Sequence, residues 1–153
     1  MTASAFDIAI LGAGPVGRVL ALMLARVAPD PARIALLAGA APAPVAPAAA
    51  VPVADPRVLA MNHGSRVLLE SLHAWPERSA DIRNIHVSQR GRLGRTVIQN
   101  TDFGVPQLGS VVAYSGLHAR LDECVAACGV TVLSGSAARV DSQDADGVRI
   151  VQG

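Results

Sequence analysis

The chain has 153 residues, of which 51% are hydrophobic and only 3% aromatic, and its net charge at pH 7 is +1. That length supports one domain whose core is built mainly from Ala, Val and Leu. The 13 Lys and Arg residues form no cluster, which argues against a nucleic-acid-binding protein, and no apolar run approaches the roughly 18 residues of a transmembrane helix. The N-terminus lacks the basic region and cleavage site of a signal peptide, so we expect a cytoplasmic protein.

An apolar segment near the N-terminus ends in a glycine-rich motif. Residues 5–11 predict a strand in a central position of a parallel sheet, and residues 15–28 predict a helix. In this position the motif favours dinucleotide binding, because Gly12 permits a tight turn, Gly14 lets the backbone approach a pyrophosphate and Gly17 lets the helix pack on the strand. An ordinary tight turn between strand and helix is the alternative. The motif, G-x-G-x-x-G, reads Gly12-Ala13-Gly14-Pro15-Val16-Gly17.

The second predicted strand covers residues 33–38 and completes a right-handed βαβ unit. In dinucleotide-binding units this strand ends in an acidic residue that binds the ribose hydroxyls. Ala38 occupies that place here. A missing charge-assisted hydrogen bond lowers affinity by about 10- to 100-fold, so the motif predicts a weakened nucleotide site.

Residues 40–54 contain only Ala, Pro and Val. Their prolines exclude a regular helix and favour an extended polyproline-II connector that is exposed to solvent. A segment of this length is also compatible with a loop that covers a ligand. The sequence leaves both interpretations open.

The rest of the chain predicts an α/β fold in which antiparallel hairpins accompany the parallel sheet. The first hairpin interrupts the βαβ rhythm, so we expect it to lie in an antiparallel layer outside that sheet. The predicted elements are a helix at 61–73, a hairpin of strands 82–88 and 93–99, a strand at 111–114, a helix at 117–128 capped by Gly129, a third parallel strand at 130–133 and a hairpin of strands 137–142 and 147–151.

The two cysteines, Cys124 and Cys128, lie four residues apart on a predicted helix. This spacing places them on one face beside Leu117, Leu121 and Val125, so they are expected to be buried structural thiols. A metal site needs more ligands than this pair, and the four histidines lack the spacing of metal ligands. The sequence therefore predicts no metal site and no catalytic residue.

Several motifs together resemble the N-terminal part of the class A flavoprotein monooxygenases, and most of all the ubiquinone-biosynthesis hydroxylases of the UbiH type. The resemblance covers almost the whole chain but only the first portion of such an enzyme. The matching residues are the glycine motif, Asp55-Pro56-Arg57-Val58-Leu59-Ala60-Met61 for D-x-R-x-x-A-L, Ile85-His86-Val87-Ser88 with Gly91 and Gly94 for I-x-V-S-x-x-G-x-x-G, and Leu108-Gly109-Ser110-Val111-Val112 for L-G-x-V-V.

The resemblance implies a Rossmann-like domain that binds FAD rather than NAD. It implies that Gly12, Gly14 and Gly17 hold the pyrophosphate, that Arg57 lies on the flavin side of the cofactor and that the backbone of Ala137 lies near the adenine. In the family, NAD(P)H reduces the flavin, which then reacts with O2 to hydroxylate an aromatic ring. It also implies, for the full-length family, a polyprenylphenol substrate or a peripheral membrane association.

The resemblance further implies a truncated domain, because the family's D-G and G-D motifs do not follow. We therefore expect residues 1–153 to be an FAD-binding fragment that binds FAD weakly or not at all and self-associates through exposed sheet edges. A structural or interaction module without catalysis is an alternative. A short NAD(P)-dependent enzyme is another, although no Arg follows Ala38 in the next turn to bind a 2′-phosphate. Without the D-x-R context Arg57 is interpreted as an ordinary solvated charge or a helix-start residue, and with that context this interpretation and the cofactor-binding one are equally open.

Overall fold

The computed structural model describes residues 4–39, 55–91 and 93–152, so the predicted connector at 40–54 lies outside the described residues. These residues form two compact units, one from 4–39 with 121–152 and one from 55–120. The elements are β1 (Ile8–Leu11), α1 (Pro15–Ala25), β2 (Ile34–Ala38), β3 (Val58–Asn62), α2 (His63–Ser71), β4 (Ser79–Ile82), β5 (Asn84–Ser88), β6 (Arg95–Gln99), β7 (Gly109–Ala113), α3 (Tyr114–Ala127), β8 (Thr131–Ser134), β9 (Ala138–Gln143) and β10 (Val148–Gln152).

The first unit contains a three-stranded parallel sheet in the order β1–β2–β8. The predicted βαβ unit and the third parallel strand are confirmed, and the predicted hairpin at the end of the chain forms as β9 and β10. The α/β fold class, with its parallel sheet and antiparallel hairpins, is confirmed.

The central strand of this sheet is β2 rather than the predicted first strand. Residues Ile34, Ala35, Leu36 and Leu37 are all buried, whereas Ile10 is the buried residue of β1. The prediction was wrong because an apolar run identifies a strand suited to burial but not its neighbours, and among the described residues β1 pairs with β2 alone.

Two features of the helices differ from the sequence prediction. α1 ends at Ala25 instead of 28, because the N–H groups of Val27 and Ala28 both bond to the carbonyl of Leu24 in a closing turn. Cys124 and Cys128 are half-buried rather than buried, since the face of α3 that packs inward carries Leu121 and Val125. Within the described part of the chain, no helix is long and apolar enough to cross a membrane.

The second unit is built from a three-stranded antiparallel sheet, in the order β3–β7–β4, and a separate hairpin of β5 and β6. The hairpin outside the parallel sheet was predicted, but β3 and β4 were not. The predicted helix at 61–73 is shorter, because Asn62 ends β3 and its side chain caps α2 by accepting a hydrogen bond from the N–H of Ser65 at 2.7 Å.

A half-buried arginine connects the helix and the sheet of this second unit. Arg66 on α2 donates to Glu70 at 2.7 Å, to Asp81 on β4 at 2.7 Å and to the buried hydroxyl of Ser110 on β7 at 2.9 Å. Its guanidinium also lies 5.1 Å from the ring centroid of Trp75. The hydrogen bond to Glu70 and the nearby carboxylates of Glu70 and Asp81 raise the pKa of Arg66, so its guanidinium stays charged.

Candidate functional site

The glycine motif forms the turn between β1 and α1 that the sequence predicts. Gly12 has a φ of +112°, a conformation that residues with a side chain rarely adopt. Its N–H donates to the carbonyl of Leu37 at 3.0 Å, so the turn is tied to the carboxyl end of β2. Gly12 therefore supplies the tight turn by its backbone geometry.

Gly17 allows the first turn of α1 to lie against the β1 strand end. A Cβ on Gly17 would lie 1.9 Å from the carbonyl oxygen of Gly12, far inside van der Waals contact. Gly14, by contrast, has nothing within 4 Å of the position where its Cβ would stand. The turn is thus packed tightly on the strand side and open above Gly14.

The start of α1 offers backbone donors without a side-chain partner. Gly14 is the N-cap in an extended conformation, Pro15 follows it, and the first turn carries neither a side-chain cap nor an acidic residue. Free N–H groups and the positive end of the helix dipole favour an anionic group here, such as a phosphate. This arrangement fits the diphosphate of a nucleotide cofactor.

Two further segments of the first unit end at the same edge of the sheet. Ala38 closes β2, and its carbonyl accepts a hydrogen bond from the N–H of Gly135 at 3.2 Å. Ala137, exposed and directly before β9, follows two residues later. The structure therefore brings the glycine turn, Ala38 and residues 135–137 to the carboxyl ends of the parallel strands, where ligands of such sheets bind.

Two side chains at this edge bear on what it could bind. Ala38 provides no carboxylate for the ribose hydroxyls, as the sequence indicated. Ser136 was missed by the sequence analysis, although it lies directly beyond the third parallel strand. Its Oγ is buried and has no hydrogen-bond partner in the described structure.

Arg57 lies in the second unit and is held by two neighbours. Its Nε donates to both carboxylate oxygens of Asp55 at 2.9 and 3.0 Å, and its guanidinium carbon lies 4.1 Å from the ring centroid of Tyr114. These hydrogen bonds lower the pKa of Asp55 to about 2. The side chain of Arg57 is 65% exposed, so it is a positioned and accessible charge rather than a freely solvated one.

The Tyr114 side chain that covers Arg57 is itself part of a ring contact. The backbone N–H of Tyr114 donates to the backbone carbonyl of Arg57 at 2.9 Å, and the ring centroid of Tyr114 lies 5.6 Å from that of His118. The sequence analysis singled out Arg57 but not its pairing with Asp55, and the contact with Tyr114, more than fifty residues away, has no local sequence signal.

Taken together, the parallel sheet and the glycine turn define a Rossmann-like α/β fold. No family model matches the chain, and no curated protein matches it. Solved structures do resemble it. The tetrameric form of 2-methyl-3-hydroxypyridine-5-carboxylic acid oxygenase superposes with a TM-score of 0.61 at 14% identity, over 98% of this chain and 38% of that chain.

Two other similar structures come from proteins with different descriptions. A flavoprotein/dehydrogenase from Cytophaga hutchinsonii gives a TM-score of 0.58 at 13% identity, over 95% of this chain and 37% of that one. The Diels-Alderase of the pyrroindomycin biosynthetic pathway gives 0.59 at 23% identity, over 95% and 29%. At these identities the likeness shows the fold alone. The chain spans less than two fifths of the length of each of these three proteins.

Proposed function

We propose that this chain is the FAD-binding portion of a flavin-dependent aromatic hydroxylase of the ubiquinone-biosynthesis type. The observation that carries the proposal is the geometry of the glycine turn. There α1 begins without a side-chain cap, and the space next to Gly14 is open. The likeness to an oxygenase and to a flavoprotein supports a flavin nucleotide over a nicotinamide nucleotide. The sequence resemblance to the UbiH type supports the finer assignment.

In this proposal the first unit binds the adenine dinucleotide part of FAD. The backbone of the turn from Gly12 through Ala13, Gly14, Pro15 and Val16 to Gly17 holds the pyrophosphate, with Pro15 contributing shape but no N–H. The backbone of Ala137 lies near the adenine. In the second unit, Arg57 is the cofactor-facing cation, and Asp55 and Tyr114 fix its orientation.

A bound flavin supplies the oxidation–reduction chemistry by which such hydroxylases use NAD(P)H and O2. The residues of this chain bind and orient the cofactor, and we assign none of them a catalytic role. The chain spans 38% of the length of the oxygenase that it resembles, so we expect residues 1–153 to form one FAD-binding portion that does not hydroxylate a substrate alone. A cytoplasmic location and a polyprenylphenol substrate for the whole enzyme belong to the same proposal.

The affinity of this portion for FAD is expected to be low. Ala38 offers no charge-assisted hydrogen bond to the ribose, which corresponds to a roughly 10- to 100-fold weaker complex. Purified protein should therefore be colourless, or lose a yellow colour on dialysis. A flavin held in stoichiometric amount through dialysis would contradict this expectation.

FAD titration by quenching of flavin fluorescence tests the proposal. The variant Ala38→Glu should bind FAD about 10- to 100-fold more tightly than the unmodified chain, because a carboxylate is restored at the end of β2. Ala38→Gln is the matched neutral control and should gain less. Adding Gly14→Val to Ala38→Glu should abolish the gain by filling the space above the turn. The proposal fails if Ala38→Glu does not raise the affinity, or if Gly14→Val leaves the raised affinity unchanged.

A second candidate function is a structural or interaction module derived from the same fold. The observation that favours it is the large exposed apolar surface of α1, where Val16, Leu20 and Met23 are all exposed. Absence of FAD binding in every variant above, together with a stable fold, would favour this alternative.

A further inference from the structure

The loop between β8 and β9 contains Gly135, Ser136 and Ala137, and we call it the 135–137 loop. Its own side chains do little to hold it. Gly135 has no side chain, Ala137 has only a methyl group, and the hydroxyl of Ser136 is buried without a hydrogen-bond partner in the described structure. A loop with few contacts of its own opens easily. The contacts that fix its shape therefore come from neighbouring strands.

Two main-chain contacts hold the ends of the 135–137 loop. At its start, the N–H of Gly135 donates to the carbonyl of Ala38 at 3.2 Å. At its end, Ala138 begins β9 and pairs with Gln152 of β10. Ser136 and Ala137 lie between these two points, and neither main-chain contact involves them.

The side chain of Gln152 supplies a third contact, at the middle of the loop. Its Nε2 donates to the carbonyl oxygen of Ser136 at 3.5 Å, the distance of a weak hydrogen bond. The Cδ, Oε1 and Nε2 atoms of Gln152 all lie 3.5 Å from the position where a Cβ on Gly135 would stand. The half-buried carboxamide group of Gln152 therefore packs against the loop and also bonds to it.

We infer, on the basis of the proposed function in which the backbone of Ala137 lies near the adenine of FAD, that Gln152 is a positioning residue for the nucleotide site. It acts through the 135–137 loop and does not touch the ligand. A loop that is already held in one conformation loses less entropy when a ligand binds, so a contact that orders the loop raises the affinity. Gln152 thus prepares the adenine end of the site.

The diphosphate end of the site does not depend on this contact. The glycine turn between β1 and α1 is fixed by the hydrogen bond from the N–H of Gly12 to the carbonyl of Leu37 at 3.0 Å. Inorganic pyrophosphate contains the diphosphate without the adenine, whereas ADP contains both. Loss of the Gln152 contact should therefore weaken the binding of ADP and leave that of pyrophosphate unchanged.

Titration of the full chain with ADP and with inorganic pyrophosphate tests this inference, with the NMR signals of the Gly12 and Gly14 N–H groups as the readout. Gln152→Ala should weaken ADP binding by about 5-fold, as expected for one neutral hydrogen bond, and should change pyrophosphate binding by less than about 2-fold. Gln143→Ala is the matched control, because it makes the same substitution at an exposed position at the other end of the β9–β10 hairpin. It should change neither affinity.

Gln152→Met provides a second variant, because methionine keeps a side chain of similar length beside Gly135 but offers no donor to the carbonyl of Ser136. Its ADP affinity should lie between those of Gln152→Ala and the unmodified chain. An unchanged ADP affinity in Gln152→Ala overturns the inference, as does an equal weakening of ADP and pyrophosphate, which would indicate a general loss of structure. Failure of the proposed function is distinguishable, because the unmodified chain would then bind neither ligand.

Discussion

The buried residues of the first unit are all apolar, whereas the second unit buries Ser110 and Gln107 beside the half-buried Arg66. In the first unit the sheet packs against the helices mainly through small and aliphatic residues. The closest approach described above is that of Gly17 on α1 to the carbonyl oxygen of Gly12. In the second unit a charged hydrogen-bond cluster joins α2 to β4 and β7. The two units should therefore be compared by added volume at the glycine turn of the first and by loss of the Arg66 charge in the second, although the first unit also contains an ion pair of Arg18 with Asp122 at 2.8 Å.

The largest effect is expected from Gly17→Ala. The added methyl group would lie 1.9 Å from the carbonyl oxygen of Gly12, so the helix has to move away from β1. We expect the free energy of unfolding to fall by about 3 kcal/mol, a value typical of overpacked or strained sites, as measured by urea denaturation. Gly14→Ala is the matched control, because its methyl group enters open space, and it should cost less than about 1 kcal/mol. Equal stability of the two variants would contradict the packing described here.

A smaller but clear loss is expected from Arg66→Met in the second unit. The substitution keeps an unbranched apolar side chain but leaves Asp81 and Ser110 without the cation that they contact. We expect a loss of about 2 kcal/mol, since the pairs are only partly shielded from water.

Two further variants sharpen this prediction. Arg66→Lys should recover part of the stability, because it restores the charge but not the two-pronged geometry. Arg83→Met removes an exposed arginine 3.8 Å from the same Asp81 and should change the stability by less than about 0.5 kcal/mol. If Arg66→Met and Arg83→Met behave alike, the second unit does not depend on this cluster.

The smallest effect concerns one Asp–Arg pair of each unit, Asp55 with Arg57 and Asp7 with Arg33. The pKa of Asp55 is lowered to about 2 from 3.8 by its hydrogen bonds with Arg57, and Arg33 lowers the pKa of Asp7 in the same direction. Because the folded-state pKa of Asp55 is depressed, its ion pair contributes stability above pH 3.8 that is lost as the pH falls toward 2. NMR titration of the carboxyl carbons should show the pKa of Asp55 well below 3.8, and Arg57→Gln should return it toward 3.8. An unchanged titration of Asp55 in Arg57→Gln would show that the pair does not form in solution.

The sequence predicted the first unit well because its signals are local. The glycine motif between an apolar strand and a helix specifies the turn, the start of the helix and the parallel pairing of β1 with β2. In the same way Gly129, which has a φ of +84°, follows the end of α3 as expected. The order of the strands is not local, and β1 and β2 are both short apolar runs. Nothing in either run indicated that β2 takes the central position.

The second unit was predicted less completely for a related reason. Val58, Leu59, Ala60 and Met61 are acceptable in a helix as well as in a strand, and only pairing with β7 decides between the two. At the candidate site, too, the sequence predicts local features but not contacts between distant residues. The position of Ala38 could be counted from the glycine motif, whereas the buried hydroxyl of Ser136 and the contact of Tyr114 with Arg57 depend on tertiary packing.

The hydrogen bonds at the edge of the parallel sheet have a consequence for how residue 38 can vary. The carbonyl of Leu37 accepts from Gly12 and that of Ala38 accepts from Gly135, so the three loops are joined through main-chain atoms that every amino acid possesses. The side chain at 38 is consequently decoupled from the architecture. Evolution can exchange it, and with it the preference for a ligand, while the scaffold that presents the ligand stays the same.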